Sequence, residues 1–243
     1  MDKVAKEKWQ HYNAKLQENT KIEVLKKGRL FGDLSIHELL DIASYASRVS
    51  FPKNTVIFEE GTPASFFYIV QDGLVRLYKS TLTGRQLTFT VAGPGDTLNS
   101  TALSIGNYFM SSQALNNVIV LKIECNAYLS ILRRYPSIAI RLTTIMGNRL
   151  NRESDRALSM VGQSVEQRLC MSLSMLVRKF GNRVSMTREE LATCAGTTTE
   201  TTIRVLSQLK KMGIIGCSAG RSEIVISDSK KLLDLLQQSE GWI

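Results

Sequence analysis

Between residues 60 and 96 the chain carries a backbone-reversing signal roughly every ten to twelve residues: Glu60 Gly61, Asp72 Gly73, Thr83 Gly84 and Gly93 Pro94 Gly95 Asp96. Such an interval leaves no room for a helix of useful length. The segments between the turns, 55–58, 66–70, 74–78, 87–91 and 118–123, are rich in β-branched and aromatic residues and read as short strands. Regularly spaced short strands joined by tight turns predict a small antiparallel β-barrel, a cupin-like jelly roll, with the strand pairing left open.

Helical spacing governs most of the rest of the chain, so the fold class is α+β. Ser35 and Glu38 form a capping box ahead of Ile36, Leu39, Leu40, Ile42 and Ala43. Pro136 opens a helix that runs to about Met160, and Leu142, Met146, Leu150, Ala157 and Val161 line one stripe along it. The stripe reads as a two-fold dimer seam, the alternative being that it packs on the chain's own barrel. Beyond Ser164 the pattern gives a helix to Phe180, a strand over 183–186, two short helices, a hairpin over 214–226 and an amphipathic helix over 230–236.

The two short helices hold the most specific chemistry. Thr187 and Glu190 form another capping box, with Leu191, Ala192 and Ala195 facing inward before Gly196. Thr197 or Thr198 caps the next helix, whose buried side is Thr202, Val205, Leu206 and Leu209 at i, i+3, i+4 and i+7. A small residue at the crossing and a glycine in a three-residue turn are what a helix-turn-helix requires. The opposite side presents Thr199, Glu200, Ile203, Arg204 and Gln208. Glu accepts from a cytosine amino group, Arg pairs with guanine, and Ile packs on a thymine methyl, so Thr199, Glu200, Ile203 and Arg204 are the expected base readers. Thr197, Thr198, Gln208, Lys210, Lys211 and Arg221 are expected at phosphates. The alternative is an ordinary helical hairpin in which Glu200 and Arg204 form an i, i+4 ion pair.

A net charge of +9, from 31 Lys and Arg against 22 Asp and Glu, agrees with a polyanionic partner. No stretch approaches the ~20 apolar residues of a membrane span, and the lysine-bearing start lacks a signal-peptide core, which places the protein in the cytoplasm. Cys125, Cys170, Cys194 and Cys217 include no CxxC pair and read as reduced thiols. The two histidines, His11 and His37, both precede the strands, so neither a metal-dependent barrel enzyme nor a Ser-His-Asp hydrolase is supported. No catalytic residue and no metal ligand is assigned.

The glycine-punctuated strands with Gly61, Asp72 Gly73 and Pro94 Gly95 Asp96, the segment 187–212, and Val165 Glu166 Gln167 Arg168 Leu169 together resemble the CRP/FNR superfamily of transcription regulators over about residues 30–230. The resemblance implies an effector-sensing β-barrel domain over 1–125, a helical region with the dimerisation helix over 126–162, and a winged helix-turn-helix over 163–243. It further implies a homodimer on near-palindromic double-stranded DNA, RNA polymerase as a partner, and base reading by Glu200 and Arg204. Cyclic-nucleotide binders of the superfamily hold the ribose with a Glu and the phosphate with an Arg, where this chain has Asn99, Ser100 and Thr101, then Met110 and Ser111. A phosphate buried without a cation is poorly compensated, so the expected effector is a different small molecule. Its expected surroundings are Asn99, Ser100, Tyr108, Phe109, Met110 and Ser111, with Glu153 and Ser154 on the long helix. No cysteine precedes Cys125, against an iron-sulfur cluster. Haem through His11 or His37 ranks lower, and a ligand-binding module that has lost DNA binding is the remaining alternative.

Overall fold

The computed structural model describes residues 18–100, 106–216 and 223–237. Helix α1 covers 18–27, and α2 (Ile36–Ser44) starts at Ser35, whose hydroxyl accepts from the Glu38 amide while Glu38 reaches back to the Ser35 amide at 2.7 Å. Strands follow at β1 (Ser47–Phe51), β2 (Val56–Phe58), β3 (Phe66–Asp72), β4 (Val75–Ser80), β5 (Gln86–Ala92), β6 (Thr97–Leu98), β7 (Ser111–Ala114) and β8 (Val118–Glu124). They form two open four-stranded sheets, ordered β1-β8-β3-β6 and β2-β7-β4-β5; the antiparallel β-strand domain expected from the sequence is there, and closure of its sheets into a barrel is not seen among the described residues. Closure would need long pairings at the edges, but β6 offers β3 only two partners and β2 spans three residues.

Gly73 shows why the chain needs glycine at one of its reversals. Its φ is +85°, and a Cβ there would stand 2.4 Å from the Asn117 carbonyl oxygen.

The chain gathers into two compact units, one of residues through Arg76 with Ala92–Asn148, the other of Leu77–Val91 with the residues from Arg149 on. In the first unit, alternation along β3 and β8 sends Phe67, Ile69, Leu121 and Ile123 to one face. That face packs on Leu25, Leu39 and Ile42 from α1 and α2, and on Tyr128 and Ile131 from α3 (Cys125–Arg134). The rings of Phe67 and Tyr128 stack at 4.0 Å. Helix α4 (Pro136–Gly162) adds Ile138, with Leu142 and Ile145 partly buried against the same core.

In the second unit, α5 (Val165–Phe180) is capped by Ser164 and Gln167. Strand β9 (Arg183–Val184), α6 (Arg188–Ala195), α7 (Thr199–Lys211), β10 (Ile224–Val225) and α8 (Ser229–Gln237) complete it. Strand β10 pairs antiparallel with β9, and Ile226 bridges to Ile215, so the expected hairpin returns onto the 183–184 strand. Its tip, including Arg221 and Cys217, lies outside the described residues. No described helix is long and apolar enough to cross a membrane.

Candidate functional site

The helix-turn-helix is built from three local devices. Thr187 caps α6, donating its amide to Glu190 at 2.6 Å and accepting the Glu190 amide at 3.2 Å. Gly196 then takes the left-handed conformation, φ 64° and ψ 42°, and returns its amide to Ala192. Thr198 opens α7 by accepting the Thr201 amide, and the buried Thr202 hydroxyl donates to the Thr198 carbonyl at 3.0 Å. Leu191, Ala192, Cys194 and Ala195 of α6 face Thr202, Val205, Leu206 and Leu209 of α7, all buried.

The other face of α7 is open. Glu200, Ile203, Arg204, Lys210 and Lys211 are exposed, and Thr199 and Gln208 are half-buried beside them. Ile203 keeps 49% of its surface, so its methyl groups are available on the open face. The Glu200 carboxyl is held below the usual carboxylate range by its own backbone amide and the Thr198 hydroxyl, an N-terminal cap that keeps it ionised. Arg204 does not pair with Glu200, as the helical-hairpin alternative expected. It pairs with Glu166 of α5 at 3.5 Å. Thr198 is exposed and Thr197 half-buried at the start of the same helix.

Two arginines hold the module from behind. Arg168 donates to the carbonyls of Ala195 and Gln163, and Arg156 donates to Cys194 at 2.6 Å and Phe89 at 3.0 Å. The β4-β5 tip belongs to this unit too: Arg85 donates to the Gly196 carbonyl at 3.1 Å, and the Thr88 and Thr193 hydroxyls are 2.7 Å apart. Sequence reasoning missed Arg85, Thr88, Arg156 and the Glu166 pairing. The only legible hint was the Val165–Leu169 segment.

The residues expected around an effector divide between the units. Asn99 and Ser100 are buried, and Asn99 has a φ of +62° with its Nδ2 lacking a hydrogen-bond partner among the described residues. Tyr108 is buried and stacks on Phe58 at 4.2 Å, while its hydroxyl accepts from the Phe66 amide and donates to the Phe66 carbonyl. Burial pushes the Tyr108 phenol up. Met110 is buried, Phe109 is half-buried, and Ser111 accepts the Glu60 amide at 3.0 Å. The neighbouring Ser112 hydroxyl, not singled out from sequence, is fully buried and without a partner among the described residues. Thr101 lies outside the described residues. Glu153, half-buried, and Ser154, bonded to the Leu150 carbonyl, belong to the second unit. Among the described residues no cluster of three His, Cys, Asp or Glu is arranged to hold a metal ion.

On the seam expected along α4, Met146 is half-buried whereas Leu150, Ala157 and Val161 are exposed. Leu158, absent from the expected stripe, keeps 73% of its surface and Val161 keeps 91%.

Residues 48–135 match the model of the cyclic nucleotide-binding domain, and residues 167–235 match that of the Crp-like helix-turn-helix domain. The chain is 30% identical over 203 residues to the cyclic AMP receptor protein of Thermus thermophilus, covering 82% of this chain and 94% of that one. It is 23% identical over 205 residues to the fumarate and nitrate reduction regulatory protein of Salmonella typhi, covering 81% and 82%. The solved structure of FixK2 from Bradyrhizobium japonicum superposes with a TM-score of 0.70 at 26% identity, covering 78% of this chain and 96% of that one.

Proposed function

The chain belongs to the CRP/FNR family of DNA-binding transcription regulators, and on that footing we propose that it acts in the cytoplasm as a homodimer reading a near-palindromic site under the control of a small effector. The observation that carries this reading is the exposed face of α7, where a capped Glu200, an uncovered Ile203 and a guanidinium at Arg204 stand side by side. These are major-groove chemistries, and Thr197, Thr198, Gln208, Lys210 and Lys211 flank them as phosphate contacts. Thr199 completes the reading edge. One short helix reaches only a few base pairs, so two-fold symmetry is what makes the contact long enough. The exposed apolar residues Leu150, Leu158 and Val161 on α4 favour that helix as the seam. RNA polymerase is the partner that such a regulator serves.

The effector we infer is not a cyclic nucleotide. Asn99, Ser100, Met110 and Ser111 supply neither a carboxylate for a ribose nor a cation for a phosphate. The orphaned Asn99 amide and Ser112 hydroxyl favour a neutral ligand with hydrogen-bonding groups in that unit. Selection of bound duplexes from a random library tests the DNA reading. Arg204→Ala should relax one G:C preference in each half-site at about 1–3 kcal/mol, whereas Lys211→Ala should weaken all sequences alike and flatten the salt slope by about one. An unchanged preference in Arg204→Ala refutes the assignment. Calorimetry with cyclic AMP tests the effector reading, and micromolar binding refutes it.

A further inference from the structure

We propose that Glu166 is a positioning residue for base reading: its carboxylate grips one edge of the Arg204 guanidinium and aims the rest of that group at guanine, without touching DNA itself. This rests on the reading of α7 as the major-groove helix. Glu166 is the second residue of α5, in the first turn beyond the Ser164 cap, where the helix N-terminus favours a negative charge. Its side chain is only 10% exposed, whereas that of Arg204 is 65% exposed, and Oε1 of Glu166 lies 3.5 Å from Nη2 of Arg204. A largely buried carboxylate thus meets the guanidinium of an otherwise open arginine.

The two ends of this pair have different freedom. Leu169, Cys170 and Leu173 beside Glu166 on α5 are buried, so the helix that carries the carboxylate is fixed in the core of its unit. Arg204 lies on the solvent side of α7, where an arginine left alone samples many rotamers that must be frozen on binding. Glu200, one turn earlier, is engaged in capping its own helix and does not take this role. Nη2 carries two hydrogens, so a carboxylate that takes the one on the Nε side still leaves the Nη1/Nη2 edge of the planar fork free, and two parallel donors are what the N7 and O6 edge of guanine accepts.

The experiment uses the full chain and two duplexes: one selected by the wild-type protein, and one in which the guanine whose preference Arg204→Ala relaxes has been replaced. Affinities for both are measured by fluorescence anisotropy for wild type, E166Q, R204A and the double variant. Glu166→Gln keeps the shape and removes the charge. It should cut discrimination between the two duplexes about tenfold, leave binding to unrelated DNA within twofold, and add nothing in the R204A background. Equal weakening on every duplex, tighter binding to the selected duplex, or the same loss in the R204A background each overturns the proposal. Should thermal melting show E166Q unfolded, Glu166→Met, which removes the carboxylate while filling its space, takes its place, and wild-type discrimination in that folded variant overturns the proposal equally. If Arg204→Ala relaxes no guanine preference, the failure lies with the DNA reading rather than with Glu166.

Discussion

Two glycines with positive φ separate backbone strain from steric exclusion. Gly196 has φ 64° and ψ 42°, and a Cβ there would meet the Met160 Cε at 3.3 Å and the Leu87 Cδ1 at 3.4 Å, both at the ends of flexible side chains. Gly196→Ala should therefore cost about 1–2 kcal/mol, the ordinary penalty of a left-handed L-residue. Gly73→Ala meets the same penalty and also places its methyl 2.4 Å from the Asn117 carbonyl oxygen and 2.8 Å from Asn116 Oδ1. Backbone cannot swing aside as a methionine can, so overpacking adds about 1–3 kcal/mol. The two substitutions fall in different compact units, so urea unfolding followed by circular dichroism should show each shifting a different transition. Asn tolerates the left-handed region, so Gly196→Asn should recover part of the loss. An alanine at 73 no more damaging than one at 196 refutes the steric argument, and equal damage from Asn and Ala at 196 refutes the dihedral one.

Leu158→Glu with Val161→Glu should give monomers by sedimentation with much weaker DNA binding; a dimer of unchanged affinity would remove α4 as the seam. Cys170, buried and with its thiol pushed up to about 12, should resist a maleimide at pH 8 in the folded protein while the half-exposed Cys125 reacts, as peptide mass spectrometry would show. The Glu38 carboxyl is held below its usual range by the Ser35 amide and hydroxyl, so its capping contribution is complete above the unfolded-state value and disappears as pH falls through the lower folded-state value. Glu38→Gln should accordingly destabilise the protein at pH 7 and converge with wild type in acid, and a gap that persists in acid argues against a charge effect.

What the sequence made legible was local. Ser35 with Glu38, Ser164 before its helix, and Thr187 with Glu190 are satisfied within a few residues, and each appears where the pattern put it. The open face of α7 followed from its 3.6-residue period. Strands β1, β6 and β7 escaped because Ser47–Phe51 and Ser111–Ala114 are largely polar and Thr97–Leu98 is two residues long. Pairing with neighbouring strands, at a sheet edge for β1 and β6 and between β2 and β4 for β7, forms them rather than propensity. The partner of Arg204 was equally hidden, since no periodicity links position 204 to position 166.

The bond between Thr88 and Thr193 joins residues 105 apart in the chain, and the one from Arg85 to Gly196 joins residues 111 apart. On a ribosome adding about 5–20 residues per second, the β4-β5 tip would wait on the order of 5–20 seconds for the helices it docks. The reading module is therefore not a C-terminal fragment that can be cut away whole. Without the tip, Arg156 loses its Phe89 acceptor and Lys179 its Val91 acceptor. A helix pair made late completes its contacts on a strand tip made more than a hundred residues earlier.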